Sequence, residues 1–187
     1  NTTMVSEKPD SWSVMWDPKY SGEILTFNNS RDAFGVAQYL LGYDVNSTNP
    51  DEWRAAEEKL KEQKPLIQSY VMDEVFNKME AGEAAMAPYY AGDYLTMKQE
   101  NDDLAFVYPK EGTNKFVDVM CIPSSSENKK AAELFINYMC EPEVALHNAN
   151  YLGYLCPVTA VLSDDRYENK DNEVLYPKQE VKTQFFH

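Results

Sequence analysis

The stretch EILTFNNSRDAFGVAQYLLGY, Glu23 to Tyr43, decides the fold. Glu23 to Phe27 reads as a strand, entered through a turn that Pro18 and Gly22 close. A helix begins directly after it. Asn29 or Ser30 is its cap, Phe34, Ala37, Leu40 and Leu41 fall at helical spacing, and Gly42 is its stop. A strand that runs straight into a helix is the repeating piece of an α/β architecture.

The same alternation continues outward from this unit. Upstream, PDSWSVMWDPKYSG gives a short helix carrying Trp12 and Trp16, capped by Asp10 or Ser11. Downstream, Asn49 and Pro50 start a helix whose apolar positions Trp53, Ala56 and Leu60 make one face. Pro65 to Val71 is extended, VMDEVFNKMEAG is a helix ending at Gly82, EAAMAPY is a strand, AGDYLTMKQE a helix and LAFVYP a strand. A further strand, FVDVMCIP, precedes ENKKAAELFINYMC, the clearest amphipathic helix of the chain. Pro142 then opens another helix at PEVALHNANYL. From Ser163 onward the chain is polar and weakly periodic, a surface loop with short helical turns. The expected fold is α/β with open sheets.

Composition excludes several classes of function. With 187 residues and 43% hydrophobic content, the chain is folded rather than disordered. Thirty-one acidic residues against seventeen basic ones give a net charge of -14, a field that repels phosphate backbones and anionic lipid and attracts cations. Nucleic acid is therefore not an expected partner. Cys121, Cys140 and Cys156 form no CxxC pair and lie in apolar stretches, so buried free thiols are expected. No apolar run is long enough to span a bilayer.

Catalytic signatures are missing as well. There is no GxSxG, HExxH, GxxxxGK[ST] or GxGxxG, and His147 and His187 are the only histidines. Carboxylates are plentiful, but they fall on helices whose other face is apolar, the pattern of a solvated surface. Neither an enzyme nor a cofactor is expected.

What remains is a set of strand ends, the places where open α/β sheets bind ligands. Asn28, Asn29, Arg31 and Asp32 follow the first strand. Tyr89, Tyr90 and Asp93 follow EAAMAPY, Phe116 and Asp118 sit at the entry to VDVMCIP, and Tyr151 and Tyr154 flank Gly153. Aromatic rings beside carboxylates suit an ammonium ligand: ring faces attract the cation, and carboxylates accept charge-assisted hydrogen bonds. At Tyr90 the ring face is expected to carry the interaction, so that phenylalanine there would serve nearly as well. Adjacent Tyr89 and Tyr90 leave an alternative open, a ferric-ion site built on paired tyrosinates.

The segments SWSVMWDPKYSGEILTF, NSRDAFGVAQYLLGY, YPKEGTNKFVDVMCIPSSSENKKAAELFINYMCEPEVA and LGYLCPV resemble the polyamine-binding proteins of bacterial ABC importers, the spermidine/putrescine-binding PotD and PotF group. The resemblance runs over essentially the whole chain. It implies a type II periplasmic-binding-protein fold, with two α/β lobes closing on the ligand. It also implies an extracytoplasmic location, through a lipid anchor or a permease fusion, and ABC permease subunits as partners. Asp32 and Asp118 then take the places of amine-binding carboxylates, Tyr90 and Phe116 those of ring-stacking tryptophans, and Tyr154 that of a family tyrosine. Asn29 stands where spermidine binders commonly have aspartate. By the same resemblance the chain is a fragment: residues 1–114 one nearly whole lobe, residues 115–187 a returning part of the other. Self-association through the uncovered edge is expected of it.

Overall fold

The structure, a computed structural model, describes residues 1–178 and 180–186. They form two compact units. The first is Asn1–Phe116 with the described C-terminal residues after Lys178, and the second is Val117–Lys178.

The first unit is built around Ile24–Phe27 (β1), whose four residues are all buried. Burial on both faces follows from neighbours on both edges. Ile67–Val71 (β2) pairs in parallel on one side, and Ala85 and Met86 bridge the other, with Leu25 N–H donating to the Met86 carbonyl at 2.9 Å. Ser30–Leu41 (α1) leaves β1 through a tight turn in which the Asn29 side chain accepts from the backbone N–H groups of Arg31 and Asp32. Asn29, rather than Ser30, is thus the cap, and Gly42, at φ 75°, terminates the helix in the left-handed region open to glycine. Pro50–Gln63 (α2) starts as its Asn-Pro pair dictates, with Asn49 accepting from Asp51 N–H.

Glu74–Glu80 (α3) and Ala91–Glu100 (α4) complete the layer. Leu25, Val71, Val75, Met79, Ala84, Met97 and Leu104 pack into one core cluster, and Met15, Tyr20, Ile24 and Ala85 into a second. The Trp12–Trp16 segment is 3-10 rather than α-helical, cut short by Pro18, and anchors through Trp12 Nε1–H to the Gly112 carbonyl and Trp16 Nε1–H to the Lys59 carbonyl, each at 2.7 Å. Thr113–Lys115 (β3) pairs in parallel with Thr183–Phe185 (β4), a C-terminal strand the sequence pattern gave no sign of.

The second unit contains Lys129–Met139 (α5), Pro142–Leu152 (α6) and Thr159–Leu162 (α7). Its core is Ala145, Leu146, Ala149, Val161 and Tyr167. On its surface the Arg166 guanidinium bonds both Glu143 and Asp164, holding the Asp164 carboxyl down to about 2.

Three expectations fail. LAFVYP and the whole of FVDVMCIP, which begins just after β3, lack strand structure, and EAAMAPY contributes a single bridge rather than a strand. A strand exists only through a ladder partner, and none pairs with these segments among the described residues. The cysteines are not buried either: Cys121 and Cys140 are exposed and Cys156 is half-buried. Cys121 follows from the unpaired segment it sits in. Cys140 closes α5, a helix with no buried residue.

Candidate ligand site

Three chain turns of the first unit converge on one carboxylate. The turn after β1 places Asp32 in the first turn of α1, because the Asn29 cap fixes how the helix leaves the strand: Arg31 N–H reaches Asn29 Oδ1 at 3.0 Å and Asp32 N–H at 3.4 Å. The turn into α4 brings Tyr90, whose hydroxyl donates to Asp32 Oδ2 at 2.8 Å. From β3, Asn114 donates its amide to Asp32 Oδ1 at 3.2 Å. Each oxygen of the carboxylate therefore holds one protein donor. An ionised carboxylate has about four acceptor positions, so roughly two remain for a ligand.

Aromatic rings surround this carboxylate. Tyr90 lies 5.4 Å from Phe116 in an edge-on arrangement, 4.9 Å from Tyr89 and 5.5 Å from Phe27, centroid to centroid. Phe116 is 43% exposed, so part of its ring still faces solvent. Burial raises the Asp32 pKa, and the Tyr90 hydroxyl bond and the nearby Arg31 charge partly offset that rise. Burial is also the main cause that pushes the Tyr89 phenol up to about 12, with Asp93, Asp73 and Glu74 adding to it. Tyr90 is pushed up further, by burial and by its bond to Asp32.

Of the six residues singled out from the sequence, the structure groups Asn29, Asp32, Tyr90 and Phe116 in the first unit. Asn29 serves there as the helix cap that orients Asp32. The other two lie in the second unit: Asp118 is exposed in the extended segment after Phe116, and Tyr154 is half-buried just beyond Gly153, the left-handed cap of α6. The Tyr90 hydroxyl donates to Asp32, a bond that the sequence pattern did not signal. Asn114 is the member the sequence reading missed. It lies 82 positions from Asp32 in the chain, and its only local signal is a polar residue two places before Phe116.

The model of the bacterial extracellular solute-binding protein family matches residues 1–174. The chain belongs to that family. It is 32% identical over 171 residues to the spermidine/putrescine-binding periplasmic protein of Escherichia coli K12, covering 91% of this chain and 49% of that protein. To the putrescine-binding periplasmic protein PotF of the same organism it is 26% identical over 189 residues, covering 95% and 51%. Among solved structures it is similar to the spermidine/putrescine ABC transporter substrate-binding protein PotD of Streptococcus pneumoniae. The TM-score is 0.83 and the identity 32%, over 100% of this chain and 58% of that one. The fold is thus that of the periplasmic binding proteins, and the chain spans about half the length of the curated relatives it matches. These relatives are named for binding and transport. No helix among the described residues is long and apolar enough to cross a membrane.

Proposed function

We propose that the protein carrying this chain is the extracytoplasmic substrate-binding component of an ABC importer and captures a polyamine, spermidine or putrescine. The observation that carries this reading is Asp32, a half-buried carboxylate held by Tyr90 and Asn114 among the rings of Phe27, Tyr90 and Phe116. An ammonium group finds there a fixed anion for charge-assisted hydrogen bonds, and its methylene chain finds ring faces. The relatives named for spermidine and putrescine support the same reading. Asp118 and Tyr154 are proposed as further ligand-binding residues, and ABC permease subunits as the partners, with attachment by a lipid anchor or by fusion to the permease. Lobe assignments of 1–114 and 115–187 belong to the same proposal.

No finding favours the ferric-ion alternative. The Tyr90 hydroxyl, which that alternative would need, is already donated to Asp32 at 2.8 Å. The test is a calorimetric and thermal-shift screen of the full gene product against putrescine, spermidine, spermine, amino acids and Fe(III). Saturable binding of a polyamine, with no response to Fe(III), is expected. A visible charge-transfer band with iron and no polyamine response would overturn the reading.

The isolated 187-residue chain is expected to behave differently. Val117 and Val119 are 68% and 74% exposed, and Leu134, Phe135 and Tyr138 line an open face of α5. Exposed apolar side chains of this kind are a surface for association with a second copy. Light scattering should therefore report self-association of the isolated chain, and a monodisperse monomer would refute it.

A further inference from the structure

Asn114 is held more firmly than a three-residue strand at the surface requires. Its amide orientation is set by the acceptor-only carboxylate: Asn114 Nδ2 donates to Asp32 Oδ1 at 3.2 Å, and the Thr113 hydroxyl lies 3.5 Å from Asn114 Oδ1. A flipped amide would turn its oxygen toward the carboxylate and lose the bond to Asp32, whereas the Thr113 hydroxyl can pair with either end of the amide. The backbone beneath it is fixed by β4, where Asn114 pairs with Gln184 and Lys115 with Phe185.

The β4 strand is in turn tied to both ends of α1. Beyond the helix C-terminus, Val45 N–H donates to Gln184 Oε1 at 3.1 Å and the Asn46 amide to the Phe185 carbonyl at 2.5 Å. In the first half of the helix, the Arg31 guanidinium lies over the Phe186 ring at 4.6 Å. Gly35 leaves room for that ring, since a Cβ there would stand 3.0 Å from the Phe186 Cζ. Helix and strand pair are thus one assembly, and Asp32 and Asn114 face each other across it.

We propose that Asn114 is a positioning residue for Asp32, and that the β3–β4 ladder braces it. Its amide and the Tyr90 hydroxyl hold one oxygen each, fixing the plane of the carboxylate and leaving the remaining acceptor positions to an ammonium donor. This use of the carboxylate rests on the polyamine reading. The hydrogen-bond geometry does not.

The test uses Asn114→Ala and Asn114→Leu in the full gene product, the leucine variant keeping the branching of asparagine at Cγ without its donor. Both should lose about 10-fold or more in affinity for putrescine or spermidine by calorimetry, the effect of one hydrogen bond to a charged group. In the ligand-free protein, the Asp32 carboxyl carbon followed by NMR should titrate at higher pH in both variants than in the wild type, because the lost donor favoured the charged form. If leucine restores affinity and the wild-type titration, Asn114 only fills space and the inference falls. Loss of affinity with an unmoved titration would overturn it too, since Asn114 would then act other than through Asp32. If the wild type binds no polyamine, the functional reading fails, while the titration still decides the role of Asn114.

Discussion

Asp32→Asn is expected to weaken polyamine binding by about 2–5 kcal/mol, the loss seen when one partner of a covered, hydrogen-bonded charge pair is removed. The same substitution should make the folded protein more stable at neutral pH. Both effects have one origin. Burial raises the pKa of Asp32 in the folded state, so ionising it is harder there than in the unfolded chain. A group with a raised folded pKa contributes stability that is fully present below the unfolded value, about 3.9 for aspartate, and is lost as the pH climbs through the folded value. Asparagine never ionises and never suffers that loss.

The stability advantage of Asp32→Asn should therefore be absent at acid pH, grow from about pH 4 upward, and level off once Asp32 is fully ionised. Local bonding survives the change, because a tyrosine hydroxyl either donates or accepts, so the asparagine oxygen can face Asn114 and its nitrogen Tyr90. Urea midpoints across a pH series and calorimetry with putrescine check the two halves separately. A stability difference that does not vary with pH would show that ionisation of Asp32 is not its source. Unchanged affinity would remove Asp32 from the ligand site. The unfavourable ionised carboxylate is the kind of strain a binding site retains because ligand relieves it.

The parts of this arrangement that were legible in the sequence are those fixed by local chemistry. The β1–α1 unit, with its Asn29 cap and Gly42 stop, follows from a strand pattern, one side-chain acceptor and one glycine. The Asn49-Pro50 start of α2 and the Pro142 start of α6 follow in the same way. That LAFVYP and FVDVMCIP form no strands was not legible, because strand structure depends on a partner elsewhere, whereas a helix satisfies its own backbone. Site residues were chosen by their likeness to a family motif and by chemistry at strand ends. Their convergence was invisible: Tyr90 meets Asp32 across 58 positions and Asn114 across 82. An asparagine in a short Thr-Asn-Lys strand carries no mark of such a role.

Tyr90 separates ring from hydroxyl. In Tyr90→Phe the edge-on contact with Phe116 and the packing on Phe27 and Tyr89 survive, but Asp32 Oδ2 loses its donor at 2.8 Å. A hydrogen bond to a charged group contributes ~1.5–3 kcal/mol, so phenylalanine should reduce polyamine affinity by about 10-fold or more. It should also raise the pH at which Asp32 titrates, since the hydroxyl bond, ahead of the Arg31 charge, lowers the pKa against burial. Tyr90→Ala removes the ring as well and should lose a further ~0.5–2 kcal/mol, the range for a cation over an aromatic face. Tryptophan, with an N–H donor and a larger face, is expected to fall between the wild type and phenylalanine. If phenylalanine binds as the wild type does, the hydroxyl does not hold the carboxylate for the ligand. If phenylalanine and alanine are equally impaired, the ring contributes nothing, and the stack of Phe27, Tyr89, Tyr90 and Phe116 is core packing beside a carboxylate that works alone.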